Sequence, residues 1–181
     1  MSNKAWFFGS FDPIHNGHVS FVKTALEYFK EVVICPTYQN PFKNGSKPIG
    51  FRLDLLHKVF SKNERVIVCY EEEELKSKYT LDFLNMSSFD FDNDIIILTN
   101  ETYDEIPKWF NGSEILAKCH FFIIDKEVQH SDIPFGKIDE GMQEPLHSSD
   151  IRKLIKNGDF ERVKRAVPKE IYEDVINSYQ Q

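Results

Sequence analysis

Short apolar runs alternate along the chain with segments whose apolar residues recur every three to four positions. The runs are almost continuously hydrophobic, which is typical of strands buried on both faces of a parallel sheet. The segments between them have the spacing of helices with one buried face. The predicted strands are residues 5–8, 32–35, 66–70, 95–98 and 121–124.

Helices are predicted after these strands and at the C-terminus. Repeated strand–helix units predict a doubly wound α/β fold with a mostly parallel sheet, helices on both faces and a short helical C-terminus. We expect residues 1–181 to form one domain, because this length is typical of a single domain. The helical patterns lie around residues 19–29, 55–60, 80–89, 106–110, 151–156, 160–165 and 171–179.

Two segments show neither pattern. Residues 126–145 have no periodicity, and we expect a flexible loop whose role the sequence leaves open. Residues 71–74 are four consecutive glutamates, which predict a solvated loop after the third strand.

Charge and cysteine content narrow the class of protein. Twenty-two Lys and Arg against 29 Asp and Glu give a net charge of −7, so we expect no nucleic-acid partner. A small anionic ligand is still allowed, because a few local cations suffice to bind it. Cys35, Cys69 and Cys119 form no Cys-x-x-Cys pair, which predicts core thiols in a cytoplasmic protein. No apolar run is long enough to cross a membrane, and we expect no signal peptide before the first strand.

The most informative segment is residues 9–18, with the sequence Gly-Ser-Phe-Asp-Pro-Ile-His-Asn-Gly-His. It follows the first predicted strand and opens the first helix, where an open parallel sheet presents its ligand crevice. Gly9 and Gly17 can let the backbone approach a ligand closely. His15 and His18 can donate hydrogen bonds to phosphate oxygens without bringing a fixed charge to the empty site.

A second candidate phosphate-binding segment lies near the C-terminus. Ser148 and Ser149 open a predicted helix, where two hydroxyls can cap the N-terminus and anions bind. Arg152 lies one turn further on and can donate two hydrogen bonds to a phosphate. We expect the two segments to converge around a single polyphosphate.

Both segments resemble the signature of the nucleotidylyltransferase superfamily, whose members transfer a nucleotidyl group from a nucleoside triphosphate. Residues 15–18 resemble its His-x-Gly-His element, and residues 148–152 resemble part of its Ser-Ser-Thr-x-Ile-Arg motif. Further segments are similar to those of the bacterial nicotinate mononucleotide adenylyltransferases. These are Asn40-Pro41-Phe42-Lys43, Arg52 with Leu55-Leu56, residues 79–84, and Pro107-Lys108-Trp109.

The resemblance implies a Rossmann-like nucleotidylyltransferase fold and an enzyme of NAD biosynthesis. Its reaction joins ATP and nicotinate (or nicotinamide) mononucleotide into the dinucleotide and releases pyrophosphate, with Mg²⁺ bound to ATP and no protein metal site. The implied catalytic residues are His15, His18 and Arg152. The implied ATP- and phosphate-binding residues are Gly9, Ser10, Phe11, Lys43, Ser148 and Ser149. The implied mononucleotide-binding residues are Tyr79, Thr80 and Trp109.

Four positions depart from the family pattern. Phe8 stands where the family has the first of two glycines, and His147 replaces the first Ser of the C-terminal motif. Glu101 ends a Thr-Asn-Glu segment in place of Gly-x-Asp, and Asp125 begins a segment that lacks the usual Arg-Pro-Gly. These changes leave the phosphate residues in place and loosen the assignment of the second substrate.

Two other functions are compatible with these motifs. Pantetheine-phosphate adenylyltransferase shares the Gly-Ser-Phe-Asp-Pro segment, although it normally lacks an imidazole at the position of His15. A nucleotide-binding regulator without catalysis is the alternative outside the enzymes. The sequence does not decide between nicotinate and nicotinamide mononucleotide, and it leaves the oligomeric state open.

Overall fold

A six-stranded sheet forms the centre of the computed structural model. The structure describes residues 4–39, 45–138 and 146–181, and every strand pair among them is parallel. The predicted α/β fold class is therefore confirmed. The strands are β1 (Lys4–Gly9), β2 (Glu31–Pro36), β3 (Val66–Val68), β4 (Ile95–Leu98), β5 (His120–Asp125) and β6 (Phe135–Lys137), in the spatial order β3-β2-β1-β4-β5-β6.

The winding of the sheet reverses between β1 and β4. Ala5 of β1 pairs with Val32 of β2 on one side and with Ile95 of β4 on the other. The chain builds outward from β1 to β3 first, and then outward from β4 to β6. Ligands of such sheets bind beyond the carboxyl ends of the strands at this reversal. The loop at residues 10–15 leaves β1 at that point.

Helices connect the strands and complete the C-terminus. Within the described ranges, no helix combines the length and the apolar character needed to cross a membrane. The helices are α1 (Asn16–Tyr28), α2 (Ile49–Phe60), α3 (Glu71–Leu75), α4 (Thr80–Met86), α5 (Asn100–Glu105), α6 (Gly112–Lys118), α7 (Ser148–Lys156), α8 (Phe160–Ala166) and α9 (Tyr172–Tyr179), with 3-10 turns at Ile106–Lys108 and Lys169–Ile171.

Neighbouring residues of the central strands pack into two different cores, one on each face of the sheet. Ala5 and Ile97 belong to the core that α1, α2 and the C-terminal helices cover. Trp6 and Ile96 belong to the core that α4 and α6 cover. Successive strand residues point to opposite faces, so a strand between two helical layers must be apolar at every position. This explains the continuous runs in the sequence and confirms the helices on both faces.

The sequence pattern missed β6, because this strand is only three residues long and has no apolar run. It lies in the segment predicted as a loop, and its central residue, Gly136, is buried. A Cβ at Gly136 would stand 2.7 Å from the Tyr28 ring and 2.9 Å from the Phe122 ring. The strand therefore fits against α1 and β5 only because it carries glycine there.

The glutamate run was also predicted incorrectly. Residues 71–75 form α3, and Glu72 is buried rather than solvated. Its carboxylate accepts hydrogen bonds from the Tyr38 backbone N–H at 3.0 Å, from the Ser77 backbone N–H at 3.3 Å and from the Ser77 hydroxyl. These bonds satisfy the buried charge and link the end of β2 to the segment before α4.

The three cysteines agree with the prediction of core thiols. Cys35, Cys69 and Cys119 are all free and buried. Burial raises the pKa of Cys119 to about 11, so this thiol is protonated at neutral pH and has little nucleophilic character.

Candidate active site

The loop at residues 10–15 is shaped by the packing of Phe11 beneath it. Phe11 has a φ of +47°, and its ring is almost completely buried. A Cβ at Gly9 would lie 3.0 Å from that ring, so Gly9 provides the space that Phe11 occupies. The Phe11 ring meets the His18 ring edge to face at 5.0 Å. The Phe11 side chain thus supports a candidate catalytic imidazole from below, and only its backbone is left for the predicted phosphate contact.

His15 and His18 hold each other in place across the start of α1. His15 occupies the N-cap position, and its Nδ1 accepts a hydrogen bond from the Gly17 N–H at 3.0 Å. The His18 Nδ1 accepts from the His15 N–H at 3.2 Å. The two rings stack with their centroids 3.7 Å apart. Because each Nδ1 is an acceptor, a neutral ring must carry its proton on Nε2, which remains a donor for a ligand.

Gly17 is required by this arrangement of rings. A Cβ at position 17 would lie 2.8 Å from Cε1 and 2.9 Å from Nδ1 of His15. Carbon atoms in proteins do not approach that closely, so any side chain here would displace His15. In this structure Gly17 therefore leaves space for the His15 ring. From the sequence, its role was expected to be a close approach of the backbone to a ligand.

Both imidazoles are neutral at physiological pH. Burial lowers the pKa of His15 to about 4, an effect reinforced by His147 and partly opposed by Asp150. Burial also lowers the pKa of His18 well below its usual range, and the neighbouring His15 and His147 add to this effect. The site thus presents two N–H donors without a fixed positive charge.

The helix α7 is attached directly to the loop at residues 10–15. The Ser148 hydroxyl donates to the Pro13 carbonyl at 2.8 Å. The Arg152 Nη1 donates to the Asp12 carbonyl at 2.5 Å and lies 3.9 Å from the Asp12 Oδ2. The Arg152 side chain remains 37% exposed. Two of the predicted phosphate residues therefore contact the loop that ends at His15, although they lie 135 and 140 positions further along the chain than the residues they bind.

The N-terminus of α7 differs from the prediction in one respect. Two serine hydroxyls were expected to cap the helix, but the N-cap residue is His147, whose backbone N–H donates to the Asp150 carboxylate at 2.9 Å. Ser148 is the first helical residue, and its hydroxyl is used by the loop. Ser149 is exposed at the same helix end. The exposed His147 adds to the lowering of the pKa of both His15 and His18, so its imidazole lies close enough to interact with theirs electrostatically.

Arg52 holds several loops of the site together. In the sequence this residue stood out only as part of a segment that resembles the family pattern. Its guanidinium is 1% exposed and donates to the carbonyls of four loop residues at 2.8–2.9 Å. Burial lowers its pKa, and the nearby Asp12 opposes that effect. Arg52 stands three and four residues before Leu55 and Leu56, so it continues the apolar face of the helix predicted around residues 55–60. A cation in that position was the signal that could have revealed its structural role. The four carbonyls belong to Ser10, Thr37, Tyr38 and Lys47.

Aromatic side chains form a second candidate cluster, on the face of the sheet that α4 and α6 cover. Tyr79 immediately precedes α4, and its ring stacks on Phe110 with the centroids 4.3 Å apart and the planes 22° apart. Trp109 is half-buried and packs on the core beneath α4 and α6. The structure therefore brings the predicted Tyr79, Thr80 and Trp109 segments together. The contact between them is made by Phe110, which stacks on Tyr79 and was not among the residues predicted for the site.

Two of the positions that depart from the family pattern lie at the ends of β4 and β5. The Asn100 N–H donates to the Asp125 carboxylate at 2.9 Å, and the Asn100 side-chain amide donates to the Glu127 carbonyl at 2.9 Å. The Thr99 hydroxyl accepts from the Thr102 N–H and caps α5. Glu101 points to solvent. These contacts tie the two strand ends together at this edge of the crevice.

The predicted Lys43 lies outside the described residues, together with residues 40–42. Among the parts of the chain that the structure describes, no group of three or more His, Cys, Asp or Glu side chains is arranged to hold a metal ion. Ser10 lies beside the loop histidines, with its carbonyl bound to Arg52 at 2.8 Å. The described side chains that converge at the reversal of the sheet thus include imidazole, hydroxyl and guanidinium groups, together with the Asp12 carboxylate beside Arg152.

Sequence comparisons place this geometry among known proteins. The family model described as Cytidylyltransferase-like matches residues 6–154. A relative from Aliarcobacter butzleri (strain RM4018), named "Probable nicotinate-nucleotide adenylyltransferase", is 32% identical over 180 residues, which cover 96% of this chain and 94% of the relative. A relative of the same name from Pelagibacter ubique (strain HTCC1062) is 32% identical over 123 residues, covering 66% of this chain and 68% of the relative.

Solved structures share the fold. Plasmodium falciparum nicotinic acid mononucleotide adenylyltransferase complexed with NaAD superposes with a TM-score of 0.73 at 19% identity, covering 99% of this chain and 96% of that chain. The same Plasmodium falciparum protein complexed with APC gives a TM-score of 0.71 at 18% identity, covering 99% and 98%. At these identities the superpositions establish a common architecture.

Proposed function

The chain belongs to the cytidylyltransferase-like family, and on that premise we propose that it is the adenylyltransferase that joins ATP and nicotinate mononucleotide in NAD biosynthesis. It is a nucleotidyltransferase whose relatives carry the name of that enzyme over almost the full chain. The product is the dinucleotide, and pyrophosphate is released. The observation that carries the proposal is the pair of neutral imidazoles with free Nε2–H donors beside Arg152.

The identity of the two substrates is supported from two directions. The relatives are named for nicotinate nucleotide, and two structures of the same fold contain NaAD and APC. In this proposal the crevice has a polar half, formed by the loop at residues 10–15 and α7, and an aromatic half, formed by Tyr79, Trp109 and Phe110. A triphosphate suits the first half, and a flat electron-poor pyridine ring suits the second.

The mechanism needs positioning and charge stabilisation rather than a protein nucleophile. The mononucleotide phosphate is anionic at neutral pH and attacks the α-phosphorus of ATP in line. His15 and His18 donate from Nε2 to oxygens of the reacting phosphates, where negative charge increases in the transition state. Arg152 donates to the departing pyrophosphate. The backbone of Gly9 and Ser10, the hydroxyl of Ser149, and Lys43 complete the proposed phosphate site, while the Ser148 hydroxyl holds α7 to the loop through the Pro13 carbonyl.

The proposed cofactor is Mg²⁺ carried by ATP. The Asp12 carboxylate, which belongs to the loop at residues 10–15, already accepts hydrogen bonds from the Lys47 backbone N–H and the Tyr179 hydroxyl. The imidazoles of His15 and His18 and the guanidinium of Arg152 are poor ligands for a hard cation, so phosphate oxygens and water would hold the metal. Bound in this way, Mg²⁺ would supply neutralisation of the triphosphate charge.

The proposal includes a cytoplasmic location without a nucleic-acid or membrane partner. The three free thiols agree with a reducing compartment. The net charge of −7 is opposite to that expected for a protein that binds nucleic acid by its phosphates.

A pyrophosphate-release assay with ATP and Mg²⁺ tests the function directly. We expect turnover with nicotinate mononucleotide, weaker turnover with nicotinamide mononucleotide and none with phosphopantetheine. Turnover with phosphopantetheine alone would assign the chain to the pantetheine branch. Binding of ATP and mononucleotide without pyrophosphate release would identify a regulator and overturn the proposed activity.

A further inference from the structure

The Asp12 carboxylate, in the middle of the loop at residues 10–15, connects three distant parts of the chain. It is 4% exposed. Its Oδ1 accepts hydrogen bonds from the Tyr179 hydroxyl at 2.5 Å and from the Lys47 backbone N–H at 3.3 Å. Its Oδ2 lies 3.9 Å from Nη1 of Arg152, which donates to the Asp12 backbone carbonyl instead.

We propose that Tyr179 is a positioning residue for ATP: by binding the Asp12 carboxylate, its hydroxyl keeps Arg152 available for the phosphates. This inference rests on the proposed function and assigns a task to the last helix of the chain. Tyr179 is the final residue of α9 and lies 167 positions from Asp12. No residue beyond 152 was selected from the sequence.

The surroundings of Tyr179 fix its hydroxyl in one place. Its side chain is 8% exposed. The ring packs against Phe51 with the centroids 6.0 Å apart, and the Lys47 Nζ lies over the Tyr179 ring, 5.3 Å from its centroid. Burial, and then the contact with Asp12, raise the pKa of the Tyr179 hydroxyl. It therefore remains protonated and acts as a hydrogen-bond donor.

Arg152 is the cation that an unsatisfied Asp12 would attract. Arg52 also lies close enough to Asp12 to interact electrostatically, but its guanidinium is held by four backbone carbonyls. Arg152 has one such bond and a partly exposed side chain. A buried carboxylate that loses a donor gains most by pairing with the nearest mobile cation. Arg152 would then close the 3.9 Å gap and leave the phosphate site.

The Tyr179→Phe variant tests this mechanism, because it removes the hydroxyl and keeps the packing. We expect the KM for ATP to rise about 10-fold, which is the loss typical of one hydrogen bond to a charged group. The KM for the mononucleotide and the kcat should change less than about 2-fold. Tyr172→Phe is the matched control: Tyr172 opens the same helix, packs half-buried on the same core and should leave both KM values unchanged.

A double-mutant cycle shows whether the effect passes through Arg152. In an Arg152→Ala background, Tyr179→Phe should change kcat/KM for ATP less than about 2-fold. A 10-fold loss in both backgrounds, or equal increases in both KM values of the single variant, would overturn the proposal. Calorimetry measures the affinity for ATP of the same variants in the absence of the mononucleotide. Because this measurement does not depend on pyrophosphate release, it tests the role of Tyr179 even if the proposed activity is wrong.

A variant of Asp12 keeps the inference testable if Tyr179→Phe does not fold. Asp12→Asn retains an oxygen that accepts from Tyr179 and Lys47, but it removes the charge that attracts Arg152. We expect the affinity for ATP to equal or exceed that of the original protein. A 10-fold weaker affinity for ATP would show that the carboxylate itself serves the phosphate site, and the positioning role of Tyr179 would be wrong.

Discussion

The two halves of the crevice are built on different physical principles. In the half formed by the loop at residues 10–15 and α7, backbone hydrogen bonds fix the side chains of His15, Ser148 and Arg152. In the other half, Tyr79 and Phe110 are held by stacking of two partly exposed rings. The first half offers directed donors with little freedom, whereas the second offers an adaptable surface. Changes in the first should therefore alter the rate or the affinity for ATP, and changes in the second should alter the affinity for the mononucleotide.

The largest effect is expected from His18→Ala. This change removes the Nε2 donor and the acceptor that holds the His15 backbone N–H. Loss of one preorganised donor to a reacting phosphate should lower kcat by about 10²- to 10³-fold. Pyrophosphate release under saturating substrates measures it. His57→Ala removes an exposed imidazole in the last turn of α2 and should keep the full rate. Comparable kcat values for the two variants would exclude His18 from the chemistry.

The pH dependence of stability tests the same half of the crevice. His15 has a pKa of about 4 when folded, against 6.5 in the unfolded chain. The unfolded state therefore binds more protons between these values, and the free energy of unfolding falls as the pH is lowered from 6.5 to 4. The full change for His15 is about 3 kcal/mol.

Denaturant unfolding at a series of pH values measures this contribution. His15→Asn retains an N-cap acceptor but does not titrate, so its stability should depend less on pH across that range. His57→Asn should retain the dependence of the original protein. Identical pH profiles for His15→Asn and the original protein would show that His15 is not buried in its neutral form.

Gly17→Ala is expected to have a smaller effect on rate through the position of His15. The added Cβ would start 2.8 Å from the His15 ring, so the ring must move by several tenths of an ångström. Because His15 is a proposed catalytic donor, such a displacement should lower kcat by about 10-fold. Gly50→Ala is a matched control in the first turn of α2, where a Cβ meets only the Glu73 carboxylate at 3.5 Å. Equal kcat values for the two alanine variants would contradict a requirement for the stacked imidazoles.

The residues recognised from the sequence lie mostly in the first half of the crevice. A short run with two imidazoles and two glycines has few structural explanations, and it proved to be the loop that caps α1. The continuous apolar strands likewise allowed one architecture. Arg52 and Tyr179 escaped for another reason. Each occupies an apolar helical position, so the sequence pattern indicates only that it is buried. The Arg52 guanidinium and the Tyr179 hydroxyl donate hydrogen bonds to groups of the loop at residues 10–15, which come close to them only when the chain folds.

The aromatic half was less predictable because stacking leaves no local signature. Phe110 is exposed beside a 3-10 turn, and nothing in the spacing of residues 106–110 indicates that its ring covers Tyr79. The short β6 escaped for a related reason, since Gly136 contributes space rather than an apolar side chain. Features that depend on shape complementarity between distant segments therefore need the structure.

The smallest effect is expected from Phe110→Ala, and it provides the sharpest contrast between the two halves. Removing the ring deprives Tyr79 of its stacking partner, which is worth about 1 kcal/mol for an aromatic pair. The KM for the mononucleotide should rise about 3- to 10-fold while kcat and the KM for ATP stay constant, since the phosphate donors are untouched. Met86→Ala removes an exposed apolar side chain at the end of α4 and should change none of these constants. If Phe110→Ala instead lowered kcat and left the mononucleotide KM unchanged, the aromatic half would share the chemistry, and the division of labour between the two halves would not hold.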